Sequence, residues 1–316
     1  MRILFFGTPE EAVPFLETCL AIGTVVGAVT APDRPRGRGR PPQPSAVKLA
    51  AIDRQVPVLQ PEHCKDPDFL HQVRQLCPDV LVVVAYGQIL PPELLEIPRV
   101  ALNVHFSILP QLRGAAPVQR TLEWGLTRAG VSVQLMAPEL DAGPVLVRRA
   151  VPVHAVDDAH SLRQRLIAVG TQCLKEVLSA IQQGQALSGY EQGHSTATYA
   201  PKVRSGELAA DFEVPASIIA KRARAFSDSG GLYCSIDGKR LKLWRVMAVW
   251  RNGPGGSPGT VEADTAAGPV VSCGGHWLVL NQAQMEGRRK TSGADLLRGR
   301  VIGVGQQLKS GQQGSG

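Results

Sequence analysis

Short, uninterrupted apolar runs constrain the fold of this chain more than any other feature of its sequence. Residues 80–85 read Val-Leu-Val-Val-Val-Ala, and residues 2–6 read Arg-Ile-Leu-Phe-Phe. Runs this short and this apolar indicate strands that are buried on both faces, as in parallel sheets covered by helices. A third run, residues 25–30, predicts another such strand.

Segments that are typical of helices lie between these runs and after them. They are residues 46–52, 69–76, 118–124 and 161–181. Alternating strand and helix signals predict an α/β fold with a doubly wound, mainly parallel sheet. After the first strand, we expect Thr8 to cap a helix that starts at Pro9. Only Gly7 follows that strand, without a Gly-x-Gly-x-x-Gly motif, which disfavours a dinucleotide-binding site.

Composition is typical of a globular protein with more than one domain. The chain has 316 residues, of which 44% are hydrophobic and 19% charged, so two domains could each bury a core. No apolar run reaches the roughly 18–20 residues that span a bilayer. Nothing at the start resembles a signal or transit peptide, so we expect a cytoplasmic protein without a membrane segment. Six widely spaced cysteines without a Cys-x-x-Cys pair predict reduced thiols and no metal site.

The C-terminal third has a different character. Residues 182–204 are rich in Gly, Gln, Ser and Thr and are typical of a linker. A predicted helix at 215–226 is then followed by about five short strand-like runs, which favour a small OB-like β-barrel. We expect a catalytic domain over 1–188, a linker over 189–204, a basic OB-like domain over 205–308 and a disordered tail over 309–316.

Positive charge is concentrated in that C-terminal part. From Ser205 onward, 14 Lys and Arg stand against 9 Asp and Glu, a net +5. The preceding 204 residues hold 20 and 18, a net +2. This balance is compatible with a polyanionic partner such as RNA, and a solvated basic surface explains it equally well.

Three polar residues form a candidate catalytic set: Asn103, His105 and Asp141. If residues 101–104 end a strand, Asn103 and His105 project to the same side past its carboxyl edge. A second alternating run, residues 131–136, leads towards Asp141. An amide donor, a titratable ring and a carboxylate that orients it suit acyl transfer. Turn formation is the competing interpretation of such residues at strand ends.

The whole string resembles the signature of the folate-dependent formyltransferases. It comprises Asn103 and His105, the turn Ser107-Ile108-Leu109-Pro110, and Asp141 two residues before a glycine. Ile108 replaces the commoner Leu, a volume-conserving change. The resemblance implies that Asn103 donates a hydrogen bond to the developing oxyanion, and that His105, held by Asp141, relays protons.

The resemblance also implies 10-formyltetrahydrofolate as the formyl donor. The folate contacts that it implies are Ser107, Ile108, Leu109, Pro110, Gln88, Ile89 and Leu90. Core packing is an equally open explanation for Ile89 and Leu90. No metal is implied.

An arginine-rich loop narrows the acceptor. Residues 31–42 place Arg34, Arg36, Arg38 and Arg40 at every second position among Gly and Pro. This loop resembles the Pro-Asp-Arg-Pro-x-Gly-Arg-Gly insertion of the methionyl-tRNA formyltransferases. The likeness extends to residues 6–9, 83–91, 113–119 and 199–202. It implies transfer of the formyl group to the α-amino group of methionine on initiator Met-tRNA.

The implied tRNA contacts are basic residues from both parts of the chain. They are Arg34, Arg36, Arg38 and Arg40 in the loop, and Lys221, Arg222, Arg224, Lys239, Arg240, Lys242 and Arg245 further on. Arg288, Arg289 and Lys290 form another basic cluster, which a solvated turn explains equally well. We expect a monomer.

Other readings of the sequence remain open. Glycinamide ribonucleotide formyltransferases, sugar-nucleotide formyltransferases and formyltetrahydrofolate hydrolases or dehydrogenases share the catalytic module. A non-catalytic RNA-binding protein is a further alternative. The chain also departs from the family after Phe226, where Ser-Asp-Ser-Gly-Gly at residues 227–231 replaces an Asn-Pro-Trp-Pro-type segment.

Overall fold

The apolar runs at residues 2–6, 25–30 and 80–85 lie in the first of two large sheets. The computed structural model describes residues 1–35, 41–250 and 256–311. These divide into two compact units. Unit 1 comprises Met1–Pro117, Arg128–Pro152 and Arg163–Ala200, and unit 2 comprises Val118–Thr127, Val153–Leu162 and the described residues from Pro201 onward.

The sheet of unit 1 has the strand order β5-β2-β1-β6-β7-β8-β9. The first five strands along this order run parallel, whereas β8 is antiparallel to both β7 and β9. The strands are β1 Arg2–Gly7, β2 Thr24–Val29, β5 Val58–Leu59, β6 Val80–Val84, β7 Val100–His105, β8 Arg128–Leu135 and β9 Val145–Pro152. A separate hairpin pairs β3 Arg34–Pro35 with β4 Pro42–Gln43. The predicted parallel-dominated α/β sheet is confirmed.

Among the described residues, six α-helices belong wholly or partly to this unit. They are α1 Val13–Ile22, α2 Ala46–Asp53, α3 Pro67–Leu76, α4 Pro92–Leu95, α5 Pro117–Glu123 and α6 Ala159–Gln182. Side-chain capping occurs at α2, where Ser45 Oγ accepts a hydrogen bond from Lys48 N at 3.0 Å. The prediction for Thr8 is wrong. The chain forms a 3-10 turn at Glu10–Ala12 with Pro9 before it, and Thr8 Oγ1 accepts from Ala31 N at 3.4 Å.

The register between strands places the candidate residues. Asn103 lies beside Val83 of β6 on one side and beside Gln134 of β8 on the other. His105 pairs with Ser132. Because β8 returns antiparallel, it lays polar side chains next to the carboxyl end of β7.

The sheet of unit 2 is antiparallel, with the order β12-β13-β14-β11-β10-β16, and β15 pairs with β14. Its strands are β10 Leu232–Ile236, β11 Lys239–Val249, β12 Val261–Thr265, β13 Gly268–Ser272, β14 Trp277–Met285, β15 Thr291–Ser292 and β16 Lys309–Ser310. The helices α7 Ala216–Ala225 and α8 Gly293–Arg298 lie in the same part of the sequence. The sheet curls as a half-barrel, which confirms the OB-like class.

The segment that departs from the family pattern forms a tight turn after α7. Ser229 N and Gly231 N both donate to the carbonyl of Phe226 at 3.0 Å. Gly230 and Gly231 have φ values of 103° and 75°, a region that glycine enters without a steric penalty. The pair Gly230 and Gly231 thus allows the chain to make this turn without a proline.

Other expectations concern the tail, membrane segments and thiols. β16 extends the described structure beyond the predicted boundary at 308, and residues 312–316 lie outside the described range. Within the described residues, no helix is long and apolar enough to cross a membrane. The cysteines are unpaired; five are buried and Cys77 is exposed.

Candidate active site

The carboxylate of Asp141 is the point where the predicted catalytic residues meet. Its Oδ1 accepts hydrogen bonds from Asn103 Nδ2 at 3.0 Å and from Gln134 Nε2 at 3.2 Å. Its Oδ2 accepts from the backbone N of Gly114 at 2.8 Å and lies 3.7 Å from His105 Nδ1. Three donors therefore fix the orientation of this carboxylate, and one of its oxygens faces the imidazole.

Hydrogen bonding defines the tautomer of His105. Its Nε2 lies 2.9 Å from the carbonyl oxygen of Leu112. A carbonyl oxygen only accepts, so Nε2 carries a hydrogen, and in the neutral ring Nδ1 holds a lone pair. That lone pair is on the side of Asp141, whose Oδ2 would stabilise the ring after Nδ1 gains a proton. The side chains of His105 and Asp141 are only 8% and 7% exposed.

Asn103 keeps donor capacity while it binds Asp141. An amide nitrogen carries two hydrogens, and the bond to Asp141 uses one of them. Asn103 is also half-buried at the end of β7, where β6 and β7 finish side by side. Its second hydrogen can therefore serve a bound oxygen at this edge of the sheet.

The turn after β7 is held by a residue that the sequence did not single out. Ser132 Oγ accepts from Leu109 N at 3.1 Å and donates to the carbonyl of Ser107 at 2.8 Å. Ser107 Oγ donates to the carbonyl of Gln111 at 2.6 Å. The side chains of Ser107 and Leu109 are buried, whereas Ile108 and Pro110 are partly exposed. Of the predicted contacts in this turn, only the last two present side chains at the surface.

The predicted folate contacts after β6 also differ in how exposed their side chains are. Gln88 bridges to a neighbouring loop, because its Oε1 accepts from Cys64 N at 3.1 Å and its Nε2 donates to the carbonyl of Pro61 at 3.2 Å. Leu90 is buried in a core cluster that includes Phe6. Ile89 is 85% exposed. Core packing therefore accounts for Leu90, and Ile89 is the apolar side chain available at this edge.

Sequence reasoning missed Gln134, Gln192, Arg113 and Gly114 as parts of this site. Gly114 belongs to the segment 113–119 that resembles the family, and its role needs a φ of 113°. At that position a Cβ atom would lie 2.9 Å from the carbonyl oxygen of Ala200. The alternation of β8 could have pointed to Gln134, because Ser132 and Gln134 are polar residues that alternate with valines on a buried strand.

The predicted tRNA contacts differ in their exposure and in the partners they have within the protein. Arg34 is exposed, and Arg36, Arg38 and Arg40 lie outside the described residues. The base of that loop is fixed by Asp33, which accepts from Lys48 Nζ and from Gln60 Nε2, both at 2.7 Å. These two hydrogen bonds lower the pKa of Asp33.

Two of the arginines in α7 have protein partners. Arg222 donates to the carbonyls of Glu207 and Ala209. Arg224 Nη1 donates to the carbonyl of Ala155 at 2.6 Å. Both guanidinium groups thus hold unit 2 together, which limits what they can offer to a phosphate. Lys221 is half-buried on the same helix.

Three of the remaining basic residues share one face of the unit 2 sheet with aromatic rings. We call this set the basic-aromatic face: Tyr233, Arg240, Lys242, Trp244 and Lys290. Arg240 lies over the ring of Tyr233 at 4.1 Å, and Lys290 lies over that of Trp244 at 3.4 Å. Lys242 pairs in register with Tyr233 and lies 5.6 Å from the Trp244 ring. Such cation–π contacts fix the cations in place. Lys239 is exposed at the start of the same strand, and Arg245, Arg288 and Arg289 are exposed as well.

Comparison with known proteins gives the family. The formyl transferase domain matches residues 1–178, and the formyl transferase C-terminal domain matches residues 202–301. This chain belongs to the formyl transferase family. It is 42% identical over 307 residues to the methionyl-tRNA formyltransferase of Myxococcus xanthus, which covers 97% of each chain. It is 38% identical over 317 residues to that of Geobacter sulfurreducens, with 100% of this chain and 98% of the relative covered.

Solved structures support the same fold for this formyl transferase. HypX from Aquifex aeolicus matches with a TM-score of 0.66 and 17% identity, over 96% of this chain and 48% of HypX. The chain thus spans about half the length of HypX. The sugar 3N-formyl transferase WlaRD matches with a TM-score of 0.64 and 17% identity, over 92% of this chain and 99% of that one.

Proposed function

We propose that this chain transfers the formyl group of 10-formyltetrahydrofolate to the α-amino group of methionine on initiator Met-tRNA. The observation that carries the proposal is the convergence of Asn103, His105 and Asp141 at the carboxyl edge of one sheet. Relatives about 40% identical over nearly the whole chain are named methionyl-tRNA formyltransferases. The HypX structure in complex with tetrahydrofolic acid shares the fold, which supports a folate-derived donor.

The fit of the donor is supported by the edge beside Asn103. Ile89 offers an exposed apolar side chain, and a Cβ atom at Gly87 would meet nothing within 4 Å. A flat, partly apolar ligand needs such open space next to a few fixed polar groups. Ile108 and Pro110 add partly exposed apolar surface from the turn after β7. Bound there, 10-formyltetrahydrofolate supplies the formyl group and the N10 leaving group.

In this mechanism Asn103 stabilises negative charge. The amine nitrogen forms a bond to the formyl carbon while the formyl oxygen gains charge. The free hydrogen of Asn103 Nδ2 donates to that oxygen, and Asp141 holds the amide in place through the other hydrogen. A donor aimed where charge develops typically contributes on the order of 3–4 kcal/mol.

His105 moves the proton. The bond between the formyl carbon and N10 breaks as the amine loses one proton and N10 gains one. The lone pair on His105 Nδ1 accepts the proton, Asp141 Oδ2 stabilises the charged ring, and Nδ1 then donates the proton to N10. An α-amino group has a pKa near 8, so a useful neutral fraction exists at pH 7 and strong base activation is unnecessary.

The tRNA partner is supported by charge outside the catalytic edge. The basic-aromatic face offers cations from Arg240, Lys242 and Lys290 beside polar Gln284. Lys290 covers the Trp244 ring, so this face suits phosphate contacts better than base stacking. We assign residues 1–188 to catalysis, 189–204 to a linker whose first part packs against the catalytic residues through Gln192, and 205–308 to tRNA binding. A monomer that acts in the cytoplasm, without a metal, completes the proposal.

A formylation assay with competing acceptors tests the function. The purified chain is given 10-formyltetrahydrofolate and initiator Met-tRNA, uncharged tRNA, glycinamide ribonucleotide or an amino-sugar nucleotide. We expect formyl-methionine only from Met-tRNA, with kcat/KM at least about 10³-fold above the other acceptors. Turnover of another acceptor alone, or binding of tRNA without turnover, contradicts the proposal.

A further inference from the structure

A fully buried guanidinium lies behind the catalytic residues. The side chain of Arg113 has no solvent exposure. Its Nε and Nη2 donate to Gln192 Oε1 at 3.2 and 3.0 Å, and its Nη1 lies 3.4 Å from Glu139 Oε1. Its backbone is paired as well, with Thr198 and Ala200. Burying a charge is expensive unless it is well paired, so this arrangement calls for a reason.

Arg113 fixes the orientation of the Gln192 amide. A guanidinium has no acceptor, so the amide oxygen of Gln192 must face it. The amide nitrogen then points at the carbonyl oxygens of Asp141 and Gly143, at 2.8 and 2.7 Å. These carbonyls have no donor, so the reverse orientation of the amide would lose both bonds.

A second path leads from the same amide to the carboxylate. The two hydrogens of Gln192 Nε2 are shared among three acceptors, because this nitrogen also lies 3.0 Å from Gln134 Oε1. Gln134 Nε2 in turn donates to Asp141 Oδ1 at 3.2 Å. In this series of hydrogen bonds, each donor lies nearer the guanidinium and each acceptor nearer the carboxylate. Hydrogen bonds aligned in one direction polarise one another and strengthen the series.

The Asp141 loop needs such support. Asp141 has a φ of 52°, a left-handed conformation that costs a non-glycine residue of order 1–3 kcal/mol. That conformation directs its carboxylate at Asn103, His105 and the backbone of Gly114. A strained conformation persists only where its surroundings hold it.

We propose that Gln192, oriented by buried Arg113, is a positioning residue that holds the Asp141 loop in its catalytic conformation. This inference rests on the proposed function. It gives the segment 190–200, which follows a long helix, a part in formyl transfer. It also predicts that a change at Gln192 lowers kcat and has little effect on substrate binding. The reason is that Gln192 is 6% exposed and its hydrogen-bond partners are protein groups.

The first experiment is Gln192→Met, which keeps the side-chain length and removes both the donor and the acceptor. With Met-tRNA and 10-formyltetrahydrofolate, we expect kcat to fall about 10- to 100-fold, as for partners that orient a functional side chain. The KM values should change less than about threefold. Gln185→Met, on an exposed glutamine of the same unit, is the matched control and should keep wild-type kcat.

A double-mutant cycle separates positioning from general stability. If Gln192 acts through Asp141, Gln192→Met should add nothing to the loss already caused by Asp141→Ala. Losses that multiply, an unchanged kcat, or a change in KM alone would each overturn the inference. Should Gln192→Met not fold, Gln192→Glu serves, because it keeps the volume and the Arg113 partner and replaces only the donor. Wild-type kcat in that variant also overturns the inference.

The proposed function is judged separately in the same assay. If the wild type formylates a different acceptor, the function is wrong, and the cycle is run on that acceptor. If the wild type formylates Met-tRNA and the cycle shows no coupling, only the positioning role fails.

Discussion

At the scale of the residue, the state of His105 follows from its neighbours. Leu112 supplies an acceptor to Nε2, and Asp141 faces Nδ1 at 3.7 Å. In the proposed mechanism, the ring therefore keeps Nε2 protonated throughout and uses Nδ1 for proton transfer. Leu112 has a φ of 60°, so the acceptor comes from an unusual backbone conformation that the surrounding segment holds.

We predict that neutral His105 is the Nε2–H tautomer. Nitrogen-15 spectra of the imidazoles distinguish the two tautomers, because the protonated and unprotonated nitrogens have different chemical shifts. His105→Gln identifies the signals that belong to this residue among the seven histidines. A spectrum with the hydrogen on Nδ1 would contradict the proton path proposed above.

The placement of a residue can be predicted from sequence where the pattern is local. Because Asn103 and His105 are two residues apart at the end of a predicted strand, their side chains were expected on the same side. The structure brings both to Asp141. Gln192 could not be found this way, since it lies 58 residues from Gln134 and 79 from Arg113. The prediction that Thr8 caps a helix was wrong for a related reason. Its hydroxyl accepts a hydrogen bond from the backbone N of Ala31, which follows β2 and is distant in sequence.

At the scale of the element, the return of the chain from β8 to β9 shapes the site. Gly143 packs so closely on β8 that a Cβ atom there would overlap the carbonyl oxygen of Leu135. Its own carbonyl accepts from Gln192 at 2.7 Å. Because the obstruction is backbone, a side chain at this position must displace the loop that carries Asp141.

We predict that Gly143→Ala lowers kcat about tenfold or more and destabilises the chain by about 1–3 kcal/mol, the usual cost of overpacking. Steady-state formylation and denaturant unfolding measure the two effects. Gly206→Ala is the control, because a Cβ there meets nothing within 4 Å. Wild-type kcat in Gly143→Ala would mean that this close approach does not position Asp141.

The basic-aromatic face is the second element with a testable role. We predict that Lys242→Ala weakens tRNA binding and reduces the slope of log K against log salt by about 1, as expected for one lost phosphate contact. Titrations at several salt concentrations measure it. Lys175→Ala, on an exposed lysine of α6, should leave both quantities unchanged. An unaltered salt slope in Lys242→Ala removes this face from the tRNA site.

At the scale of the whole molecule, the two classes of sheet could be predicted because their strand patterns differ. Continuous apolar runs indicated the buried parallel strands, and short alternating runs indicated the antiparallel ones. β9 was missed, since seven of its eight residues, from Leu146 to Pro152, are exposed or half-buried and carry no strong pattern. The two-residue strands β5 and β16 are too short for any periodicity and form through pairing alone.

An ion pair in unit 2 makes the stability of the protein depend on pH in the acid range. The hydrogen bond from Arg120 lowers the pKa of Glu207 below its ordinary value of 4.5, and the two charges approach to 2.7 Å. A lowered folded-state pKa contributes stability above the ordinary value, and that stability is lost as the pH falls through the folded value.

We predict that Glu207→Gln lowers stability by about 1 kcal/mol at pH 7, and that the difference from wild type shrinks below about pH 4.5. Thermal unfolding from pH 3 to pH 8 measures it. Glu176→Gln, which removes an exposed ion pair with Arg149, should change stability little at any pH. A difference for Glu207→Gln that grows towards low pH would contradict the assignment.

Single-turnover formylation by Asn103→Ala tests the central claim most directly. Enzyme in excess over Met-tRNA, saturated with 10-formyltetrahydrofolate, gives the rate of formyl transfer, and titration gives the dissociation constant of the tRNA. We predict a rate about 10²- to 10³-fold below wild type, with a dissociation constant within about twofold of wild type. Equal losses in rate and tRNA affinity, or a wild-type rate, would show that this edge of the sheet is not where the formyl group is transferred.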